Sequence, residues 1–190
     1  MTKDEVIAAS MQQFWRDGYY ATSMEKLVNS TGANRQAIYS TFGGKRALYL
    51  KCFSAYRASI VEPALKGLLS STANTRDIER YFETQIALAE QIGLPGQGCL
   101  VANAATETAP HDELAAEEVR LHMNRLATGF SKALGNAAPE LSIEELEALA
   151  EFLASFAQGL WSLSRTVSDP AILRRQAATA ISLLMERISR

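Results

Sequence analysis

The sequence predicts an all-α protein of about nine helices, in which a small amino-terminal group of helices precedes a larger helical bundle. Apolar residues recur at three- and four-residue steps along nearly the whole chain, and the alternation typical of strands does not appear. Helix-capping residues stand at the breaks between these periodic stretches. The chain has 190 residues, of which 47% are hydrophobic and 21% charged, and this composition is sufficient for a packed core.

The clearest local pattern is a pair of short helices near the amino terminus. Thr22 and Glu25 have the spacing of a capping box, which predicts that a helix begins there. Gly32 provides the flexible backbone that commonly ends a helix. Asn34 is a suitable N-cap for a second helix, predicted from Arg35 to about Thr41. Two helices joined by a tight turn at a glycine are typical of a helix–turn–helix.

The second of these helices has an outward face suited to DNA. Ala37, Ile38 and Phe42 can turn inward, and the helix then presents Arg35, Gln36, Tyr39, Ser40 and Thr41 outward. Arginine and glutamine make bidentate hydrogen bonds to guanine and adenine, whereas tyrosine, threonine and lysine suit phosphate oxygens. From the spacing alone, a DNA-reading helix and an ordinary solvated helix remain alternatives.

The charge distribution favours DNA binding. Residues 1–57 contain eight Lys or Arg and four acidic residues, whereas the remainder contains eleven and seventeen. The net charge of −2 therefore hides a basic amino-terminal quarter. A local site for a polyanion is indicated, rather than a protein that coats nucleic acid throughout.

The first fifty residues resemble the DNA-binding domain of the TetR family of bacterial transcriptional regulators. The resemblance covers about a quarter of the chain and rests on a dense set of positions: Val6, Ile7, Ala9, Phe14, Gly18, Tyr19, Thr22–Ser23–Met24, Gly32–Ala33, Ala37–Ile38–Tyr39, Phe42 and Lys45. It implies a DNA-binding domain at residues 1–47 and a helical effector-binding and dimerisation domain at residues 48–190.

The resemblance also implies particular DNA contacts. Phosphate contacts are expected from Thr22 or Ser23, Tyr39, Thr41 and Lys45, and base readout from Arg35, Gln36 and Ser40. The sequence departs from the family pattern at Gly43–Gly44, because a small polar residue often precedes the lysine. We expect this departure to loosen the joint between the reading helices and the rest of the chain.

The remainder of the chain predicts further helices. One continues from Ala47 to about Glu62, with a kink or restart at Pro63, and residues 135–141 are expected to form a loop. The others are predicted from Arg76 to Ile92, from Cys99 to Thr108, from Asp112 to Leu134, from Ser142 to Val167 and from Pro170 to Ile188. Ser142 and Glu145 form a second capping-box pattern, and Asp169 precedes a proline at the first helical position.

The last two predicted helices have wide apolar stripes. Such stripes can pack on the core of one chain, but the resemblance implies that they pair with a second subunit to form a homodimer. It further implies a repressor that binds a pseudo-palindromic DNA operator as a dimer and is released by a small-molecule effector of unknown identity. Candidate effector contacts are Phe82, Ile86, Cys99, Asn103, Glu107, Met123, Phe130, Phe156 and Trp161.

The two cysteines suggest different roles. Cys52 lies among apolar residues of a predicted helix and is expected to be a small core residue. Cys99 is expected near a helix N-terminus, a position that lowers the pKa of a thiol. Two interpretations remain open, a buried structural cysteine and a thiol that senses oxidants or electrophiles in place of an effector.

Other chemistry is not indicated by the sequence. His111 and His122 stand too far apart on one helix to share a metal ion and are expected to be solvated. No P-loop, nucleophile elbow or zinc-protease motif is present, so neither a cofactor nor an enzymatic activity is expected. A charged amino terminus and the absence of a long apolar run predict a soluble cytoplasmic protein that does not enter a membrane. A helical enzyme or binding module with a merely structural helix–turn–helix is the alternative from another class.

Overall fold

In this computed structural model, which describes residues 2–189, the described part of the chain is helical and contains no strand. It has nine α-helices if the two short segments that directly continue the fourth are counted with it, as the sequence predicts. Their bounds are α1 Lys3–Asp17, α2 Met24–Thr31, α3 Arg35–Phe42, α4 Lys45–Tyr56, α5 Thr75–Ile92, α6 Leu100–Glu107, α7 Glu113–Ala137, α8 Ile143–Leu163 and α9 Pro170–Ile188. A 3₁₀ turn, Ala109–His111, lies between α6 and α7.

The helix that starts with α4 changes its form before the proline at position 63. A π-helical turn, Arg57–Val61, follows α4 directly, and one further α-helical turn, Glu62–Leu65, completes the run. Pro63 has no backbone N–H, and in a regular α-helix its ring would clash with the carbonyl of Ser59. A wider π-helical turn is one of the known ways in which a helix accommodates such a residue. The predicted irregularity at Pro63 is therefore confirmed.

Packing groups the described residues into two units. The first contains the chain up to Val61 together with Cys99–Arg120, and the second contains Glu62–Gly98 and the residues from Leu121 onward. The boundary between functional domains that we predict at residues 47 and 48 stays a prediction.

In the first unit, α1 packs on α2 and α4, α3 packs on α2 and α4, and α6 packs on α1 and α4. The core between these helices is apolar and includes the fully buried side chains Phe14, Leu27, Ile38, Leu48 and Phe53. Burial of each such side chain contributes about 1.5–3 kcal/mol relative to exposure. This core holds the short helices α2 and α3 in place, since helices of this length are not stable alone in water.

In the second unit, α9 packs on α5 and α8. The centre is an aromatic cluster in which the ring of Phe82 lies 5.9 Å from that of Phe130 and 5.5 Å from that of Phe156. Arg125 donates two hydrogen bonds, of 2.8 and 2.6 Å, to the carboxylate of Glu62. The apolar stripes predicted for the last helices are therefore used at least partly within the chain itself.

Most of the predicted helix starts are confirmed. Ser142 and Glu145 form the predicted capping box of α8. Asp169 accepts a hydrogen bond from the N–H of Ala171, with Pro170 at the first helical position of α9. Asn34 is the N-cap of α3, and its side chain accepts from the N–H of Ala37 at 2.8 Å.

Two predictions about helix ends are wrong. The N-cap of α2 is Ser23, which accepts from the N–H of Lys26, because the hydroxyl of Thr22 is instead donated to the carbonyl of Gly18. The loop predicted from residue 135 is helical as far as Ala137. An interior glycine costs a helix only about 1 kcal/mol relative to alanine. Ala133, Leu134 and Ala138, which flank this stretch, are buried, and burial of their apolar side chains offsets this cost.

Candidate nucleic-acid interface

The position of helix α3 is defined by its two ends and its buried side. Asn34 caps its amino end, and Gly43 adopts a left-handed conformation at the other end, where its N–H donates to the carbonyl of Tyr39 at 2.9 Å. Ile38 and Phe42 are buried in the core of the first unit. The rotation of α3 is therefore fixed, with one face held against α2 and α4.

The opposite face of α3 is exposed to solvent. All five side chains predicted to face outward on this helix are exposed: Arg35, Gln36, Tyr39, Ser40 and Thr41. The guanidinium of Arg35 lies 5.8 Å from the ring centroid of Tyr39, a cation–π arrangement that leaves its N–H donors free for another partner. The structure thus brings together the residues predicted to read bases and two of those predicted to contact phosphates.

Thr22 and Ser23, the alternative phosphate contacts at the start of α2, differ in accessibility. The Thr22 hydroxyl is fully buried and donates to the carbonyl of Gly18 at 2.6 Å. Ser23 is exposed, and its oxygen accepts from the N–H of Lys26, which leaves the hydroxyl hydrogen available to a phosphate. Of the two residues, only Ser23 therefore has a hydroxyl that is accessible from outside the protein.

Lys45, at the start of α4, lies over an aromatic ring. Its ammonium is 4.2 Å from the ring centroid of Tyr19, and the residue is half-buried. Partial burial lowers the pKa of Lys45, and the negative charge of Glu107 opposes this shift. The ammonium is thus held in a defined place by the Tyr19 ring rather than moving freely in solvent.

Gly43 and Gly44, the departure from the family pattern, form the joint between α3 and α4. Both have positive φ angles, +85° and +108°, which favour glycine. Gly44 is also buried against the ring of Tyr39. The glycine pair therefore places an exposed aromatic side chain next to the start of α4, a consequence that the sequence pattern did not indicate.

Many of the basic side chains near the amino terminus are already paired with acids. Lys26 and Arg16 contact Asp17, and Arg46 makes two hydrogen bonds of 2.6 and 2.9 Å to Asp112. Arg57 pairs with Glu118. Four other basic residues of this region form no ion pair within residues 2–189: Lys3, Arg35, Lys45 and Lys51. Arg35 and Lys45 are thus two of the charges left to attract a polyanion.

Glu107 occupies a place that the sequence did not suggest. Its two carboxylate oxygens accept hydrogen bonds from the backbone N–H groups of Tyr19, at 3.0 Å, and Tyr20, at 2.8 Å. Gly18 precedes these residues with φ +86°, and a Cβ at Gly18 would lie 2.9 Å from both oxygens. The carboxylate that we predict to contact an effector is therefore already engaged with the turn after α1.

The other two candidate effector contacts of the first unit are buried. Cys99 is 3% exposed, and this burial raises the pKa of its thiol, although hydrogen bonds from Tyr56 and from the backbone oppose the shift. The expected lowering of the Cys99 pKa at the helix N-terminus is therefore wrong, because desolvation outweighs these hydrogen bonds, which include those from the backbone of Val101 and Ala102. Asn103 is also buried. Cys52 is buried with a raised thiol pKa, in agreement with its predicted core position.

In the second unit, a groove of about 730 Å³ lies between α5 and α9. It contains two of the candidate effector contacts, Phe82 and Ile86, and the carboxylates of Glu79 and Glu83. Arg174, whose guanidinium pairs with Glu90, also lines it. Apolar walls with a few charged groups are typical of small-molecule sites.

The remaining candidate effector contacts of the second unit do not lie together in one cavity. Phe130 is fully buried in the aromatic cluster, and Met123 accepts a hydrogen bond from Gln158 at its sulfur. Trp161 is half-buried, and its backbone carbonyl accepts from the hydroxyl of Ser164. Phe156 lines a second groove, of about 480 Å³, between α8 and α9.

The histidines differ from each other. His111 is exposed as predicted, but His122 is only 7% exposed, so its predicted solvation is wrong. The reason is helical spacing, because His122 shares a face of α7 with the buried side chains of Leu126 and Phe130.

Among the described residues, no group of three or more His, Cys, Asp or Glu side chains is arranged to hold a metal ion. Within the same range, no helix is both long and apolar enough to cross a bilayer.

Comparison with known proteins agrees with this geometry. Residues 6–52 match the model of the bacterial regulatory proteins of the tetR family. The chain is 27% identical over 187 residues to the uncharacterized HTH-type transcriptional regulator YezE of Bacillus subtilis (strain 168), with 94% of each chain covered. It is 26% identical to the HTH-type transcriptional repressor ComR of Escherichia coli (strain K12), over 98% of this chain and 90% of that protein.

Similar solved structures cover nearly the whole chain. A cysteine mutant of the TetR family transcriptional regulator CifR, complexed with 26bp double-strand operator DNA, superposes with a TM-score of 0.81 at 18% identity. The superposition covers 96% of both chains, so the fold extends well beyond the matched amino-terminal segment. Residues 6–52 therefore match the helix–turn–helix segment of the bacterial regulatory proteins of the tetR family, and the chain is similar over nearly its whole length to transcriptional regulators and to the fold of a TetR family member.

Proposed function

We propose that this protein is a ligand-responsive repressor that binds a pseudo-palindromic DNA operator as a homodimer. The observation that carries the proposal is the exposed face of α3, where Arg35 and Gln36 form the first turn of a helix whose rotation is fixed by Ile38 and Phe42. A helix–turn–helix docks the N-terminal residues of its second helix on base edges in the major groove.

Each exposed residue then has a role in DNA recognition. Arg35 reads a guanine, Gln36 reads an adenine, and Ser40 contacts a neighbouring base. Ser23, Tyr39, Thr41 and Lys45 contact phosphates and set the position of α3 on the duplex. Thr22 supports the start of α2 from inside and makes no contact with DNA.

The proposed dimer uses the outer faces of α8 and α9. Phe152 on α8 is 49% exposed and Leu183 on α9 is 58% exposed, and both line the 480 Å³ groove. Large apolar side chains grouped at a surface mark interaction sites in soluble proteins. Helix–turn–helix dimers recognise two half-sites about one turn of DNA, roughly 34 Å, apart, and a pseudo-palindromic operator provides two such half-sites.

The proposed effector site is the groove between α5 and α9. Its walls are apolar, and the carboxylates of Glu79 and Glu83 form no ion pair with other described residues. These features favour an apolar molecule that carries a positive charge. The dimer can exist in a state whose two α3 helices are wrongly spaced for the operator. An effector that binds better to this state would increase its population, and the protein would then release the operator. The name of the relative ComR as a repressor supports repression, and control of bacterial genes supports a cytoplasmic location.

Binding to the DNA around its own gene tests the proposal. Fluorescence anisotropy would compare the wild type, Arg35→Ala and the matched control Lys66→Ala, an exposed lysine on the second unit. We expect Arg35→Ala to reduce operator affinity roughly 5- to 150-fold and to weaken sequence preference, in line with a loss of about 1–3 kcal/mol. Equal operator affinity of Arg35→Ala and the wild type would contradict the role of α3.

A further inference from the structure

The turn after α1 is held from a distant part of the sequence. Glu107, the last residue of α6, accepts from two consecutive backbone N–H groups, those of Tyr19 and Tyr20. These N–H groups lie just beyond the carboxyl end of α1, which stops at Asp17. A carboxylate that accepts two N–H groups fixes both the position and the direction of that backbone.

This contact continues towards the proposed DNA surface. The backbone of Tyr19 is held by Glu107, and the ring of Tyr19 lies under the ammonium of Lys45 at 4.2 Å. The same ring packs on Tyr49, with 4.8 Å between ring centroids, so its position is restricted on a second side. The place of Lys45 is therefore set by Tyr19, and the place of Tyr19 is set in part by Glu107.

We propose that Glu107 is a positioning residue for DNA binding: it holds the Tyr19–Tyr20 backbone so that the Tyr19 ring presents Lys45 to a phosphate. This inference rests on the proposed function and deepens it. It also assigns Glu107 a role other than the effector contact expected from the sequence, because both carboxylate oxygens are used within the first unit.

Other acidic residues of the same segment differ from Glu107. Asp112 and Glu118 pair with the side chains of Arg46 and Arg57. Asp112 also accepts from the backbone N–H groups of Leu114 and Ala115, but these are its close neighbours at the start of α7. Glu107 instead accepts from main-chain groups of a segment 88 and 87 positions away in the sequence. Gly18 fits this arrangement, since a side chain there would meet both carboxylate oxygens at 2.9 Å. The turn after α1 therefore has a glycine at the point where the Glu107 carboxylate leaves no room for a side chain.

The test uses the full chain with Glu107→Ala, Glu107→Gln and the control Asp112→Asn. Binding is measured to a duplex from the upstream region of its own gene and to an unrelated duplex of equal length, over a range of salt concentrations. We expect Glu107→Ala to weaken operator affinity about tenfold and to reduce the salt slope by about one, as the loss of one phosphate contact would. Glu107→Gln keeps one acceptor and should fall between, whereas Asp112→Asn should stay within about twofold of the wild type.

Two further readouts keep the outcome clear. Amide hydrogen exchange at Tyr19 and Tyr20 should accelerate in Glu107→Ala but not in Asp112→Asn. Gly18→Ala should weaken operator binding more in the wild type than in the Glu107→Ala background, where no carboxylate opposes the new side chain. A Glu107→Ala protein with wild-type affinity and salt slope would overturn this inference alone. A wild type that binds neither duplex would overturn the proposed function as well.

Discussion

The ring of Tyr39 occupies the space that a side chain on Gly44 would need. An ideal Cβ on Gly44 would lie 3.0 Å from Cε1 and 3.3 Å from Cδ1 of that ring. The same ring carries the guanidinium of Arg35 on the outward side of α3. Gly44, Tyr39 and Arg35 therefore form a continuous series of contacts from the joint before α4 to the proposed base-reading residue.

Substitution of Gly44 should disturb DNA recognition through this series. Gly44→Ala forces the Tyr39 ring to move, and we expect a loss of operator affinity of about tenfold, or about 1.4 kcal/mol. Gly43→Ala is the control for backbone strain, because φ is positive there too but a Cβ would meet only Ala47, at an ordinary 3.6 Å. Operator affinity can be measured by fluorescence anisotropy.

Backbone strain at Gly44, where φ is +108° and ψ is −173°, must be separated from the effect of the ring. The loss caused by Gly44→Ala should therefore be measured again in a Tyr39→Leu background. If the ring transmits the effect, the loss becomes smaller there. An equal loss in both backgrounds would show that strain alone is responsible.

The features of helix α3 that the sequence predicted are local in origin. Asn34 caps α3 through a bond to a residue three positions away, and Ile38 and Phe42 set the buried side through helical periodicity. Such signals lie within a few residues of each other, so they can be read without knowledge of the fold. The exposure of Gln36 follows from the same periodicity.

Contacts that join distant segments could not be predicted in this way. The bond from Tyr19 to Glu107 spans 88 positions, and no periodic pattern relates the two residues. A glycine before two aromatic residues was a visible signal, but it does not indicate which side chain approaches it. Likewise, Thr22 is a residue type that suits an N-cap. Its burial, which only the folded structure shows, leaves the neighbouring Ser23 to cap α2.

Lys45 should contribute equally to the binding of any DNA, whatever its base sequence. We expect Lys45→Ala to weaken operator and unrelated DNA by similar factors and to reduce the salt slope by about one, since one phosphate contact is lost. The matched control is Lys51→Ala, a change to another lysine of α4 that is exposed and free of ion pairs among the described residues. A Lys45→Ala protein that lost affinity for the operator alone would contradict a pure phosphate contact.

The proposed dimer should depend on the exposed apolar residues of α8 and α9. A charged side chain at position 183 or 152, in place of Leu183 or Phe152, would be buried when the second copy binds. Burial of a charge that has no opposite charge beside it is strongly unfavourable. We therefore expect Leu183→Glu to be monomeric in sedimentation equilibrium at concentrations where the wild type is dimeric. Leu88→Glu, at an exposed apolar residue of α5, serves as the control. Dimers of Leu183→Glu as stable as those of the wild type would place the interface elsewhere.

Cys99 should be unreactive in the folded protein. Burial raises the pKa of its thiol, so the reactive thiolate is depleted at pH 8, and we expect labelling by Ellman's reagent to be much slower than in denaturant. The same shift has a consequence for stability. Above pH 9, the ordinary value, the unfolded thiol loses its proton while the folded one keeps it, so the free energy of unfolding falls as pH rises. Fast labelling of the native protein, lost in Cys99→Ser, would instead support a thiol sensor.

The groove between α5 and α9 should distinguish ligands by charge. Tetraphenylphosphonium and tetraphenylborate have nearly the same shape and opposite charge, so they separate electrostatic selection from simple apolar binding. Because Glu79 and Glu83 line the groove, we expect calorimetry to show tighter binding of the cation. The double change Glu79→Gln and Glu83→Gln should weaken it roughly three- to tenfold, since partly exposed charges contribute about 1 kcal/mol or less each. Glu147→Gln, an exposed glutamate of α8, is the control. Equal binding of both ions, or no response to the double change, would remove the charge preference proposed for the effector.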